Sequence, residues 1–194
     1  MAAEPLAHLS QILDLAESLI AQVRPEQATL PTPCRSWDVG ALVTHLVNGT
    51  SQFTAAAAGG RPDWSAPTPE IGGDWAGAFR AGATGLRAAW QQAGDLSEEI
   101  DLPIGRVQKS FVANQQLAEF AVHSWDLATA TGQRVRFPAE ACEAALAWAR
   151  TALRPQFRGD EASGMAFGPE TQVPDDAPAE DRLAAFFGRH PQTA

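Results

Sequence analysis

At 194 residues with a formal net charge of −9, the chain has the size of one compact domain and the wrong sign of charge for binding a phosphate backbone. Hydrophobic residues make up 45% and charged residues 19%, enough apolar material for a core and too few charges for a disordered tail-like chain. The basic residues are scattered, which excludes nucleic acid as a partner, and two cysteines far apart, Cys34 and Cys142, exclude a CxxC redox or zinc-knuckle motif.

The opening run MAAEPLAHLSQILDLAE carries acids and no cationic leader, unlike a signal peptide, so a reduced cytoplasmic chain is expected. Leu6, Leu9, Leu13, Ala16 and Ile20 recur at helical spacing and predict a first helix over 6–23, closed by Arg24-Pro25 because proline cannot extend the ladder. After the proline-containing loop LPTPCRS, Ser36 is the expected N-cap of a second helix over 37–58 that ends at Gly59-Gly60. Leu42, His45, Leu46, Gly49 and Phe53 share one stripe of it. No Asp, Glu, Lys or Arg occurs from Val39 to Gly60, but the polar side chains of Thr44, His45, Asn48, Ser51, Gln52 and Thr54 favour a buried helix over a bilayer span, which needs ~20 predominantly apolar residues. No membrane association is expected.

A third helix is predicted over 74–93, with Trp75, Phe79, Leu86 and Trp90 inward. In EEIDLPIGRVQKS, Pro103 and Gly105 suggest a turn between two brief extended pieces. A fourth helix over 111–131 stops near Gly132, and a fifth over 138–153 begins with proline in its first turn. Residues 159–178 read as a loop, and AEDRLAAFFG as a closing helix whose Leu183, Ala184 and Phe187 plug the core. Long helices with short connections predict an all-α, single-domain helical bundle: a core over about 4–153, then a C-terminal loop and short helix over 154–194.

The chemistry concentrates in two of these helices. Glu119 and His123 are four residues apart in NQQLAEFAVHSWDLATATG and therefore point the same way, while His45 comes from the second helix. A carboxylate in a run otherwise free of acidic and basic side chains from Phe111 to Trp125 is costly to bury unless paired. Two imidazoles and one carboxylate suit zinc, nickel or iron(II), and three protein ligands leave room for water or substrate. Asp126, three residues after His123, can orient that imidazole through its other ring nitrogen or act as a general base. Trp37 and Trp125 read as core wedges, Cys34 as inert although it precedes a helix N-terminus, and His8 and His190 as surface residues. Arg106, Arg150, Arg154 and Arg182 are candidate anchors for an anion. A Walker loop, a GxSxG elbow, a GxGxxG turn and an HExxH helix are all absent.

The runs TPCRSWDVGALVTHLV and AEFAVHSWDLATATG resemble the two motifs of the DinB-like, mycothiol-dependent maleylpyruvate isomerase N-terminal domain family, and the tail MAFGPETQVPDDAPAEDRLAAFFGRHP is similar to that of a compact actinobacterial-type subgroup. The resemblance implies a four-helix bundle of crossover topology, here with extra C-terminal helices. It also implies a divalent metal, zinc in the isomerase branch, held by a His, a Glu and a His at the positions of His45, Glu119 and His123. Other DinB-like branches carry a histidine at the middle position, so Glu119 places the chain nearer the isomerase branch. Mycothiol or a similar low-molecular-weight thiol is the implied cofactor, and a small electrophile the implied substrate. The isomerase type has an additional C-terminal domain contributing to its active site, whereas this chain closes soon after the bundle; the expectation of a metal site is thereby separated from that of maleylpyruvate isomerisation. Bundles of this type pair through helix faces, which makes a homodimer a candidate assembly.

Three other readings compete with a thiol-dependent transferase or isomerase. The same ligands can serve a metal-dependent hydrolase with bound water as nucleophile, or a non-catalytic metal- or ligand-binding bundle. Without a metal, Glu119 and His123 form a buried ion pair.

Overall fold

The computed structural model of the chain describes residues 4–35, 37–63, 71–102, 105–153, 155–159 and 167–191. The described residues form six helices and one hairpin: α1 Glu4–Ala21, α2 Val39–Ala57, α3 Trp75–Gln92, β1 Glu99–Leu102, β2 Gly105–Gln108, α4 Lys109–Thr131, α5 Ala139–Ala152 and α6 Ala179–Phe186. The four long helices make the bundle. α1 packs on α4 and α3, and α2 on α3 and α4. Going round the bundle the order is thus α1, α4, α2, α3, so the chain crosses the diagonal between α1 and α2 and again between α3 and α4. This is the crossover topology expected, and α5 and α6 pack against each other and against α4 as the added layer.

The core follows the helical stripes read from the sequence. Leu9, Leu13, Ala16 and Ile20 of α1, Leu42, Leu46 and Phe53 of α2, and Phe79, Leu86 and Trp90 of α3 are all buried. Phe120 of α4 makes edge-on ring contacts with Phe53 and Phe79, centroids 5.6 and 6.0 Å apart, and so ties three helices together. Leu183, Ala184 and Phe187 plug the bundle end as expected, at 1%, 0% and 8% exposure. The charge-free α2 is a core helix, and no described helix is long and apolar enough to cross a membrane.

Boundaries differ where capping decides them. α2 begins two residues later than the sequence predicts, because Asp38 accepts a 2.8 Å hydrogen bond from the Ala41 amide and serves as N-cap. Ser36, the expected cap, lies outside the described residues. α4 begins two residues early, directly from β2, and ends at Gly132, whose φ of 70° gives the left-handed C-terminal turn. The brief extended pieces are an antiparallel hairpin in the register Glu99↔Gln108, Ile100↔Val107, Asp101↔Arg106 and Leu102↔Gly105. Pro103 of the turn lies outside the described residues.

α2 and α3 approach closely at Gly82. A Cβ there would fall on the hydroxyl of Thr50 and 2.8 Å from its Cβ. Thr50 is fully buried and donates to the Val47 carbonyl at 2.7 Å, so it cannot swing away. Gly82→Ala is therefore expected to destabilise the fold by ~1–3 kcal/mol as overpacking, measured by urea denaturation.

Candidate metal centre

α4 presents Glu119, His123 and Asp126 along one side, since these positions are four and three residues apart. α2 lies against that side and contributes His45. His45 Nε2 is 2.8 Å and His123 Nε2 3.3 Å from the same oxygen, Oε1 of Glu119. One nitrogen or oxygen from each of the three residues lies within 4.8 Å of the others. Divalent zinc sits ~2.0–2.2 Å from such donors, which in a tetrahedral arrangement places them ~3.3–3.5 Å apart. The donor set and its spacing fit a divalent cation after a few tenths of an ångström of opening between His45 and Glu119.

The partners behind these donors also fit. Asp126 Oδ2 lies 3.0 Å from His123 Nδ1. With Nδ1–H donated to that carboxylate, Nε2 is the nitrogen that faces Glu119, and it offers a lone pair once its own proton has left. Burial pushes the Glu119 carboxyl up, but the His123 and His45 imidazoles more than offset it and hold the group well below the ordinary carboxylate range. Burial pushes His123 down, but the carboxylates of Glu119 and Asp126 more than reverse this, and its pKa rises to about 9. The site is thus strongly polarised, and His123 is the shared member of both carboxylate contacts.

The sequence suggested Asp126 and did not suggest its other partner. Arg189, from the segment after α6, grips Asp126 with two donors, Nε to Oδ1 at 3.0 Å and Nη2 to Oδ2 at 2.7 Å. The Asp126 side chain is 0% and that of Arg189 10% exposed. Nothing in GRHP marks this arginine; the only available signal was Asp126, a buried acid in need of a cation. Of the arginines singled out as anion anchors, the three that are described lie elsewhere. Arg106 faces Glu99 and Asp101 on the hairpin, Arg182 pairs with Glu143, Arg150 is exposed on α5, and Arg154 is outside the described residues.

Two single-residue readings gain a position. Trp37 is half-buried and packs against the core as a wedge, and it also walls the site, its ring 4.2 Å from that of His45 and 5.4 Å from that of His123. Cys34, from the same loop, places its sulfur within 4.8 Å of His123 and Asp126 ligand atoms, so it neighbours the site. Trp125 is a core wedge as expected, buried to 7% exposure, with its indole N–H donating to Asp181 at 2.8 Å. His190 is exposed, whereas His8 is half-buried and its Nδ1 has no hydrogen-bond partner among the described residues. Neither cysteine is in a disulfide, and burial pushes the Cys142 thiol up to about 12, which leaves it unreactive.

A cleft of about 770 Å³ opens beside this network, lined among others by Cys34, Arg35, Trp125, Arg189 and His190. Its lining contains none of His45, Glu119, His123 and Asp126, and it meets the network at Cys34 and Arg189. The side chains of His45 and Glu119 are 20% and 28% exposed, which leaves the donor set open to solvent on its own face.

Comparison with known proteins agrees with the fold. Residues 9–128 match the mycothiol maleylpyruvate isomerase N-terminal domain family. An uncharacterized protein of Mycobacterium tuberculosis strain H37Rv is 33% identical over 186 residues, covering 96% of this chain and 98% of the relative. An uncharacterized protein of the CDC 1551 strain of the same organism matches with the same identity and coverage. No solved structure matches at the same stringency. The matched segment contains the whole of α2 and the Glu119–Asp126 stretch of α4, and the crossover bundle is DinB-like: the chain belongs to the mycothiol maleylpyruvate isomerase N-terminal domain family.

Proposed function

We propose that the chain is a divalent-metal enzyme, a transferase or isomerase that uses mycothiol or a similar small thiol against a small electrophile, with His45, Glu119 and His123 as the metal ligands. The observation that carries the reading is the convergence of both Nε2 atoms on Glu119 Oε1, at 2.8 and 3.3 Å, on a half-buried face. A divalent metal held there lowers the pKa of a coordinating thiol, so that the thiolate is available at neutral pH. The chain's own residues do the rest. His123 and Glu119 are pre-aimed by the i,i+4 spacing of α4, and Trp37 shields the imidazoles from one side. Asp126 is fully buried and engaged by Arg189, which suits it to orient His123 and not to act as a general base. That arrangement favours a thiol nucleophile over a hydrolase reading, in which a free base is needed beside the bound water. A soluble, cytoplasmic enzyme acting on a small molecule is consistent with the acidic chain and the lack of a membrane-spanning helix among the described residues.

The test is conversion of the electrophile by zinc-loaded protein over a panel of small electrophiles, with and without mycothiol, followed together with thiol loss because a transferase consumes the thiol and an isomerase returns it. Turnover that requires both metal and thiol supports the reading. Turnover without thiol means a hydrolase, and no thiol binding or turnover with any electrophile overturns the enzyme reading.

Metal uptake should also be coupled to protons. In the metal-free protein the pKa of His123 is raised to about 9, so its ring is protonated at neutral pH and must lose that proton to offer Nε2. Calorimetric titration with zinc in two buffers of different ionisation enthalpy is expected to show ~1 proton released from this group near pH 7. Affinity should climb as pH rises, by up to ~10-fold per unit, and level off above the His123 pKa.

A further inference from the structure

We propose that Arg189 is a positioning residue of the metal site: from the segment after α6 it holds Asp126 so that the His123 ring keeps Nδ1 inward and Nε2 toward Glu119 and His45. The inference rests on the metal reading above and adds to it the residue that fixes the geometry from outside the bundle.

Three observations converge on it. Arg189 is held on several sides. Its backbone N–H donates to the Ala184 carbonyl at 3.0 Å, its Nη1 donates to the Phe187 carbonyl at 3.0 Å, and its own carbonyl accepts from Thr171 Oγ1. Gly188, with φ of 83°, turns the chain back from α6 toward α4, and a Cβ at that position would meet Gly168 Cα at 2.8 Å. The guanidinium engages both oxygens of Asp126, a fork that fixes the plane of the carboxylate and so the direction in which Oδ2 meets His123 Nδ1.

Docking of α6 does not require this pair. Trp125 donates to Asp181, Arg182 pairs with Glu143, and Arg158 donates to the Phe186 carbonyl at 2.6 Å. The Arg189 fork is the tie that ends on a residue touching a candidate ligand, and its geometry bears on the ligand rather than on the attachment of the tail. Partners of this kind tune metal affinity by ~10–100-fold without touching the ion.

The experiment measures zinc affinity by chelator competition, and the visible spectrum of the cobalt(II)-loaded protein, for the full-length chain and three variants. Arg189→Lys keeps a positive charge beside Asp126 but loses the fork, and is expected to weaken zinc binding by ~10-fold. Arg189→Ala is expected to weaken it by ~10–100-fold and to alter the cobalt spectrum, with partial recovery on adding methylguanidine. Asp181→Ala removes the acceptor of the Trp125 indole, a tie between α6 and α4, and is expected to stay within about threefold of wild type, below the range of a supporting residue. Wild-type affinity and spectrum in both Arg189 variants overturn the inference and leave the metal reading standing. An equal loss in Asp181→Ala also overturns it, because tail docking alone would then explain the effect. A wild type that takes up neither metal overturns both. Should Arg189→Ala fail to fold, Arg189→Lys and its cobalt spectrum decide.

Discussion

Replacing His123 by alanine is expected to strip the protein of metal. Purified without a nickel column, the wild type should carry near-stoichiometric zinc, nickel or iron by mass spectrometry, and the His123→Ala protein less than about a tenth of that. The size of the effect follows from the position of His123. Its Nε2 is one of the three donors, and its Nδ1 links the donors to the Asp126–Arg189 pair. Its removal leaves two donors on two different helices, with no i,i+4 pair on α4 to pre-aim them. His45→Ala should do less damage, because Glu119 and His123 remain together on one helix. An empty wild type that also refuses added metal would leave the three residues as a buried polar cluster, with Glu119 and His123 an ion pair.

The second large effect is on stability. Asp126→Ala is expected to destabilise the metal-free protein by ~3–5 kcal/mol, because it leaves a buried guanidinium without its counter-charge. Urea denaturation followed by circular dichroism gives the number. Burial pushes the Asp126 carboxyl up, but His123 and Arg189 more than offset it and hold the group below its ordinary range. Its stabilisation is therefore present above the unfolded value of 3.8 and is lost as pH falls through the lower folded value. Below that pH the variant and wild type should converge. Replacing both partners, Asp126→Leu with Arg189→Met, should recover most of the stability, since an apolar pair of similar volume removes both desolvation costs. A double variant that folds well yet holds zinc weakly would separate what the pair does for the fold from what it does for the site. Equal stability of Asp126→Ala and wild type at neutral pH would sink the argument.

The helices with clear apolar stripes were legible, and α1 and α3 appear within a few residues of where periodicity puts them. The diagonal order of the bundle was carried by the family resemblance, not by periodicity, because a stripe reports which face is buried and not which neighbour buries it. The caps were harder to read. Ser36 and Asp38 are both good N-cap residues, and the 2.8 Å bond from the Ala41 amide to Asp38 sets the start of α2.

In the site, Glu119, His123 and Asp126 could be read together, since three- and four-residue spacing on one helix is a local property. His45 could be joined to them only through its stripe and the resemblance. The nearness of Trp37 and Cys34 to the site, and the part of Arg189 in it, were missed because they depend on where loops and a tail return to the bundle. No local pattern encodes such a return: Cys34 is 89 residues before His123, the difference of their positions, and lies near it only in the fold.

The return of the tail also orders events during synthesis. A chain leaves the ribosome from its N-terminus, and its early parts fold first. α1 to α4 can gather His45, Glu119 and His123 while the last residues are still being made, but Asp126 then sits in a forming core without its arginine. Until Arg189 emerges and Gly188 turns it inward, burying that carboxylate is uphill, and the end of α4 has reason to stay loose. The segment that carries Arg189 closes this sequence of events, bringing the counter-charge to Asp126 after the bundle before it has been built.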